Sequence, residues 1–343
     1  MANLDALAQL DSLREELGAR KELAHFESRG LPAPDFLRDK IREPSLSELV
    51  RKLNDSTHII DGETRVEAVE VRAPIRARVV DHSASVALIC HSWDLVASNG
   101  GWQLLVHPFL CRERNQNFVE QGAVLPRDNT PATGFVVGRG RFVLTARHAA
   151  LDSNRNLRPN LRCVFGYTRS NEVTQLDFPA AAVIAVKSVA AYGTQIDDDW
   201  ALLELAVDSG HQGLPLRNGG ARSNSVLAMG YPHGLPLKVG EGTARDGISP
   251  SFFEATLDIG AGNSGSPVFS MDTLGQPSIV EGMVIEAPDD IRALPDRCTA
   301  CRESKPCAVW VQSCGQEFST CWARIIPMAR MWTNAAFKQA VEA

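Results

Sequence analysis

The stretch Gly260-Ala261-Gly262-Asn263-Ser264-Gly265-Ser266-Pro267-Val268-Phe269 sets glycines around one serine and then runs into an apolar strand. Glycines at 262 and 265 accept positive φ and turn main-chain N–H groups inward, so an oxyanion forming beside Ser264 would meet main-chain donors. Small neighbours leave room for a substrate. Gly, Asn and Ser also build ordinary turns, so by itself the stretch equally describes a bend between two strands.

Two upstream segments separate those readings. Gly134-Phe135-Val136-Val137-Gly138 and Phe142-Val143-Leu144-Thr145-Ala146-Arg147-His148 read as two strands joined by a short turn, with a histidine ending the second. Asp197-Asp198-Asp199-Trp200-Ala201-Leu202-Leu203-Glu204-Leu205 puts an acid directly before a buried strand. The candidate residues therefore run His148, Asp199, Ser264, with gaps of 51 and 65 residues. That is the order His, Asp, Ser of one of three unrelated triad arrangements.

With Gly230-Tyr231-Pro232-His233-Gly234 and the lead-in Ile60-Asp61-Gly62-Glu63-Thr64-Arg65, these pieces resemble the trypsin-fold serine peptidases over roughly residues 58 to 335. They stand nearer to the bacterial glutamyl-endopeptidase branch than to the secreted digestive enzymes. The resemblance implies that Ser264 is the nucleophile, His148 its base and Asp199 the acid that orients the imidazole, with the N–H groups of Gly262 and Ser264 as the oxyanion hole. Asp197 and Asp198 are expected to be solvated loop charges. Asp258 lies six residues before Ser264, where trypsin-like relatives hold an aspartate at the floor of the primary pocket. A buried carboxylate there seeks a cation, so cleavage after Arg or Lys is expected; the alternative is an Asp258 bonded locally or turned to solvent. The strand Gly282-Met283-Val284-Ile285 is expected to line that pocket, through Val284 and Ile285. Asn263 replaces the aspartate that pairs with a newly cut amino terminus in zymogen-type relatives, which removes that mode of activation.

The remaining chain frames this core. From about Val66 to Leu205 short apolar runs alternate with turn residues, and a similar pattern resumes at Val226 and closes at Cys321 to Ile326, followed by a helix over Pro327 to Val341. The expected class is all-β: two packed antiparallel six-stranded barrels, the first over about 56–208 and the second over about 226–343, with helical elements at both ends of the chain. Residues 1–55 carry a stripe of Leu4, Leu7, Leu10, Leu13 and Leu17 at helical spacing. They are expected to be either a packed helical extension or an adaptor for a regulatory protein.

Between residues 288 and 321 the chain carries an insertion with Cys298, Cys301, Cys307, Cys314 and Cys321, the first two at the spacing of a metal knuckle. A structural zinc ion held by four of the five is expected, with a disulfide pair or redox switch as the alternative; catalysis itself calls for no cofactor. Cys90, Cys111 and Cys163 read as buried thiols. Ala149 follows the histidine where secreted relatives have a cysteine, which excludes a disulfide there. A net charge of −6 without a long basic run argues against nucleic acid. The acidic amino-terminal residues and the lack of a spanning apolar run give the expectation of a cytoplasmic protein without a membrane partner. The resulting expectation is a serine endopeptidase acting on proteins or peptides and regulated by a partner or by the insertion. A short adaptor before such a domain also resembles effector proteases of bacterial defence systems. A silent peptide-binding module on the same scaffold is the alternative from another class.

Overall fold

Twelve strands close into two antiparallel barrels. The computed structural model describes residues 66–67, 71, 73–105, 131–170, 173–195, 197–220, 222–247, 249–257, 259–260, 262–286, 291–293, 308–310 and 322–342. The expectations for residues 1–55, Cys111, Asp258 and the five cysteines of the insertion therefore lie outside the described residues.

The first barrel consists of β1 (Val86–His91), β2 (Ala132–Val137), β3 (Phe142–Thr145), β4 (Leu161–Phe165), β5 (Val183–Tyr192) and β6 (Ala201–Leu205), closed in the order β1-β2-β3-β6-β5-β4. The second consists of β7 (Ser225–Gly230), β8 (Lys238–Asp246), β9 (Phe253–Ala255), β10 (Pro267–Met271), β11 (Pro277–Glu286) and β12 (Ala323–Pro327). It closes in the order β7-β8-β9-β12-β11-β10. Strand for strand, the two orders are the same. Both barrels lie within one unit that runs from Asp61 to Ala343.

Period-2 side-chain alternation explains why so many strands read as unbroken apolar runs. On β1, Ala87 and Ile89 face the interior of the first barrel with Val136, Val143 and Cys163. Val86, Leu88 and Cys90 belong instead to a core shared with Leu227, Met229, Phe269 and Met283 of the second barrel. Val226, Ala228, Phe253, Val268 and Val284 fill the second barrel's own interior. The strands at the seam are thus buried on both faces. Burial pushes the Cys163 thiol up to about 12 and raises that of Cys90, as befits packing residues rather than reactive thiols.

Three features depart from the sequence expectation. Helix α1 (Ala73–Ser83) lies within a region expected to be β in general pattern; Ile75 and Val79, one turn apart, are its buried face, and His82 stacks on Phe269. The short strand Val66–Glu67 pairs with Val239 and Lys238 of the second barrel, although it precedes the first. The closing helix is two helices, α2 (Met328–Met331) and α3 (Ala335–Glu342). Phe337 of α3 lies edge-on to Trp200 at 5.9 Å and to Trp332 at 5.4 Å, so the carboxyl-terminal segment packs against the start of β6. Burying an aromatic ring of that size contributes roughly 1.5–3 kcal/mol.

Candidate active site

Strand pairing brings the first two candidate residues together. β3 and β6 are antiparallel neighbours with Thr145 opposite Ala201, and the Arg147 N–H continues the contact by donating to Asp199 O at 3.3 Å. His148 is therefore not at a strand end but in the first turn of a four-residue helix, Arg147–Ala150, directly beside Asp199, two residues before β6. Its N–H donates to Asp199 Oδ1 at 2.9 Å, and its Nδ1 lies 2.5 Å from Asp199 Oδ2. An acceptor on Nδ1 keeps the ring proton there and leaves the Nε2 lone pair free to accept. Nε2 lies 3.0 Å from Ser264 Oγ. The imidazole is about half exposed, at 51%, against 20% for the Asp199 side chain, so the ring is open to a substrate while its acid is shielded.

Burial pushes the Asp199 carboxyl up. The hydrogen bonds and charge of His148, together with the charge of Arg147, outweigh that and hold it below its ordinary value. The Arg147 Nε lies 3.9 Å from Asp199 Oδ1, while Nη1 donates to Gly193 O and Gln195 O of the preceding loop.

Asp198 is ion-paired and partly buried, which corrects the expectation of a solvated charge there, whereas Asp197 is exposed and accepts a hydrogen bond. Ser251 donates to Asp197 at 3.1 Å. Arg330 of α2 forms an ion pair with Asp198, its Nε at 2.8 Å. Two carboxylates of the loop thus reach the second barrel while the third meets His148. These partners lie 54 and 132 residues away, which is why local composition gave no sign of them.

The Ser264 loop joins β9 to β10. Asn263 N–H donates to Gly260 O at 3.0 Å with Gly262 at φ 96°, a turn with positive φ at its third residue, which favours glycine there. Gly265, at φ 93°, lies so close to Thr133 O that a Cβ would collide with that carbonyl. The buried Asn263 amide donates to Gly260 O at 3.2 Å and accepts the Ser266 hydroxyl at 3.1 Å, so the loop satisfies it locally. Among the described residues, the N–H groups of Gly262 and Ser264 make no hydrogen bond, as an oxyanion site requires.

Val284 is not a pocket-lining side chain. It is fully buried in the second-barrel core, because alternation along β11 points it inward; its main chain instead braces the loop, with Gly265 N–H donating to its carbonyl at 2.8 Å and its own N–H to Ser266 O at 3.0 Å. Ile285, the next residue, is half-buried and packs on the core between the barrels. A cavity of about 320 Å³ opens beside His148, bounded by Arg147, Arg155, Arg158, Asp152 and Asp199. Among the described residues no cluster of His, Cys, Asp and Glu is suited to a metal ion.

Two barrels with a histidine, an aspartate and a serine at their seam invite comparison with known proteins. Residues 132–276 match the family model described as trypsin-like peptidase domain. Solved structures similar to the chain include a thermostable serine protease from an extremophilic microorganism, at 13% identity and a TM-score of 0.42, over 76% of this chain and 96% of that one. A serine endoprotease from Yersinia pestis is similar at 14% identity and a TM-score of 0.44, over 79% of this chain and 68% of that one. No curated protein matches the sequence. The peptidase match spans all three candidate residues, from the second strand of the first barrel to the turn after β10.

Proposed function

We propose that the chain is a serine endopeptidase that hydrolyses peptide bonds through an acyl-enzyme. The observation that carries this reading is the continuous run of contacts from Asp199 through the His148 ring to Ser264 Oγ, at 2.5 and 3.0 Å. Ser264 Oγ attacks the scissile carbonyl carbon while His148 Nε2 takes its proton, and Asp199 stabilises the imidazolium that results. The negative oxygen of the tetrahedral intermediate accepts from the N–H groups of Gly262 and Ser264. Collapse breaks the C–N bond, with His148 returning the proton to the leaving amine. Water, activated by the same ring, then attacks the acyl-enzyme and frees Ser264.

Within this reading Asp258 selects Arg or Lys before the scissile bond, and the enzyme is nearer in its motifs to the glutamyl-endopeptidase branch than to the digestive one. Four of Cys298, Cys301, Cys307, Cys314 and Cys321 hold a structural zinc ion, and that insertion or a partner bound through residues 1–55 restrains access. Elemental analysis finding no metal, with five titratable thiols in the native protein, would discard the zinc. The function is tested with a fluorophosphonate probe and a peptide library. Labelling at Ser264 and cleavage after basic residues are expected; cleavage after glutamate would overturn the Asp258 assignment, and silence in both assays would leave a peptide-binding module.

A further inference from the structure

Beneath the Ser264 loop the first barrel contributes Thr133 on β2, a wholly buried residue whose polar groups are all engaged. Its hydroxyl donates to Gly262 O at 2.9 Å and accepts the Tyr231 N–H at 3.0 Å. Its N–H donates to Ser264 O at 3.0 Å, and its carbonyl accepts the Thr145 hydroxyl at 2.7 Å. We infer that the Thr133 hydroxyl is a positioning group for the oxyanion-binding N–H groups, holding that turn in its working shape in the resting chain. The inference rests on the endopeptidase reading above.

The argument runs through peptide planes. The N–H and C=O of one peptide unit are coplanar and point opposite ways, so fixing the carbonyl aims the N–H. Ser266 N–H holds Asn263 O at 2.8 Å, which aims the N–H of Ser264. Gly262 is the weak point, since it has no side chain to anchor and glycine crosses φ/ψ space readily. The Thr133 bond to its carbonyl fixes the 262–263 peptide plane, which lies between the planes carrying the two oxyanion N–H groups, so it sets the spacing of those two planes and leaves the Gly262 N–H to turn only about the bonds of its own plane. With the Asn263 amide satisfied inside the loop, no buried charge waits there for an amino terminus. Control by a partner or by the insertion would therefore act on access to a hole already formed.

Three substitutions test this. Thr133→Val keeps the volume and removes the bond; kcat should fall roughly 10- to 100-fold with KM changed less than about threefold, since the lost interaction matters where charge develops. Thr133→Ser, which restores the hydroxyl, should recover most of that loss. Affinity for a peptide boronate, whose adduct places an oxygen in the oxyanion position, should fall in parallel with kcat, while a non-covalent product peptide binds as before. Thr133→Ala reads the same quantities if the valine variant does not fold. A lowered Tm with the ratio of boronate to product affinity unmoved would overturn the inference and leave a structural threonine. Absence of both adduct and cleavage in the unaltered chain would instead remove the endopeptidase reading itself, and is told apart because residue 133 is then intact.

Discussion

The two barrels share a strand order and use their loops differently. In the first, His148 and Asp199 flank neighbouring strands, so the β3–β6 ladder itself sets their separation. In the second, Ser264 sits on a loop whose shape depends on bonds leaving it: Thr133 of the other barrel at Gly262 O and Ser264 O, and Val284 at Gly265 N–H. One pair of partners is fixed by register and the other by the fit of one barrel on its neighbour. Displacing β3 from β6 means breaking a whole ladder of backbone bonds, whereas shifting one barrel on the other slides side chains and breaks isolated bonds such as Thr133 N–H to Ser264 O. The His148–Ser264 contact is the one that the seam controls.

The largest expected effect comes from removing a group on either side of that seam. Ser264→Ala and His148→Ala should each lower kcat by about 10⁶ and leave thermal unfolding almost unchanged, with the double variant no worse than either single one, because the groups act as a unit. Steady-state cleavage of a library-derived peptide measures this, and multiplicative losses would mean that the two act separately. Asp199→Asn should cost about 10⁴, less than either partner, since the ladder still presents the ring and only its tautomer is wrong. A loss as small as tenfold would show that register alone orients His148.

A smaller effect sharpens the contrast. The Asp198–Arg330 pair ties the loop carrying Asp199 to α2, which follows the last strand of the second barrel. Asp198→Asn and Arg330→Met should each slow fluorophosphonate labelling of Ser264 by roughly tenfold, with a coupling in the double-mutant cycle of about 1–2 kcal/mol. The low-field proton signal of the His148–Asp199 bond should persist in both, because the ladder holds that pair. Loss of that signal would place the ion pair's influence within the first barrel and weaken the seam argument.

What sequence reading reached and missed follows the same division. Strands buried on two faces announce themselves as apolar runs, and residues flanking them are found by chain order, which is how His148, Asp199 and Ser264 were found. Groups whose role is a contact across the seam leave no local mark: Thr133 is one threonine inside an apolar strand, and Arg330 looks like any basic residue on a short helix. Val284 belongs to the inward face of β11, so the apolar run around it marks a strand without telling a substrate contact from a core residue. β8 carries little local signal because Gly240, Gly242 and charged residues interrupt its apolar pattern. The Ile75 and Val79 spacing of four marks α1 as helical, a local signal masked by the general β pattern from Val66 to Leu205.

The smallest predicted effect concerns the register-fixed pair. Asp199 has a carboxyl held below its ordinary value, so the stability it contributes is complete above the unfolded value, about 3.9, and is lost as pH falls through the lower folded one. Arg147 is among the causes of that lowering, with its Nε 3.9 Å away. Arg147→Met should therefore raise the folded value and move this loss of stability to higher pH, an effect that 1 M salt weakens to the extent that the charges are exposed. Acid unfolding followed by tryptophan fluorescence checks it. If the acid limb stays put while Tm drops equally at every pH, Arg147 acts through its bonds to Gly193 O and Gln195 O alone, and the first-barrel pair is held by geometry without help from charge.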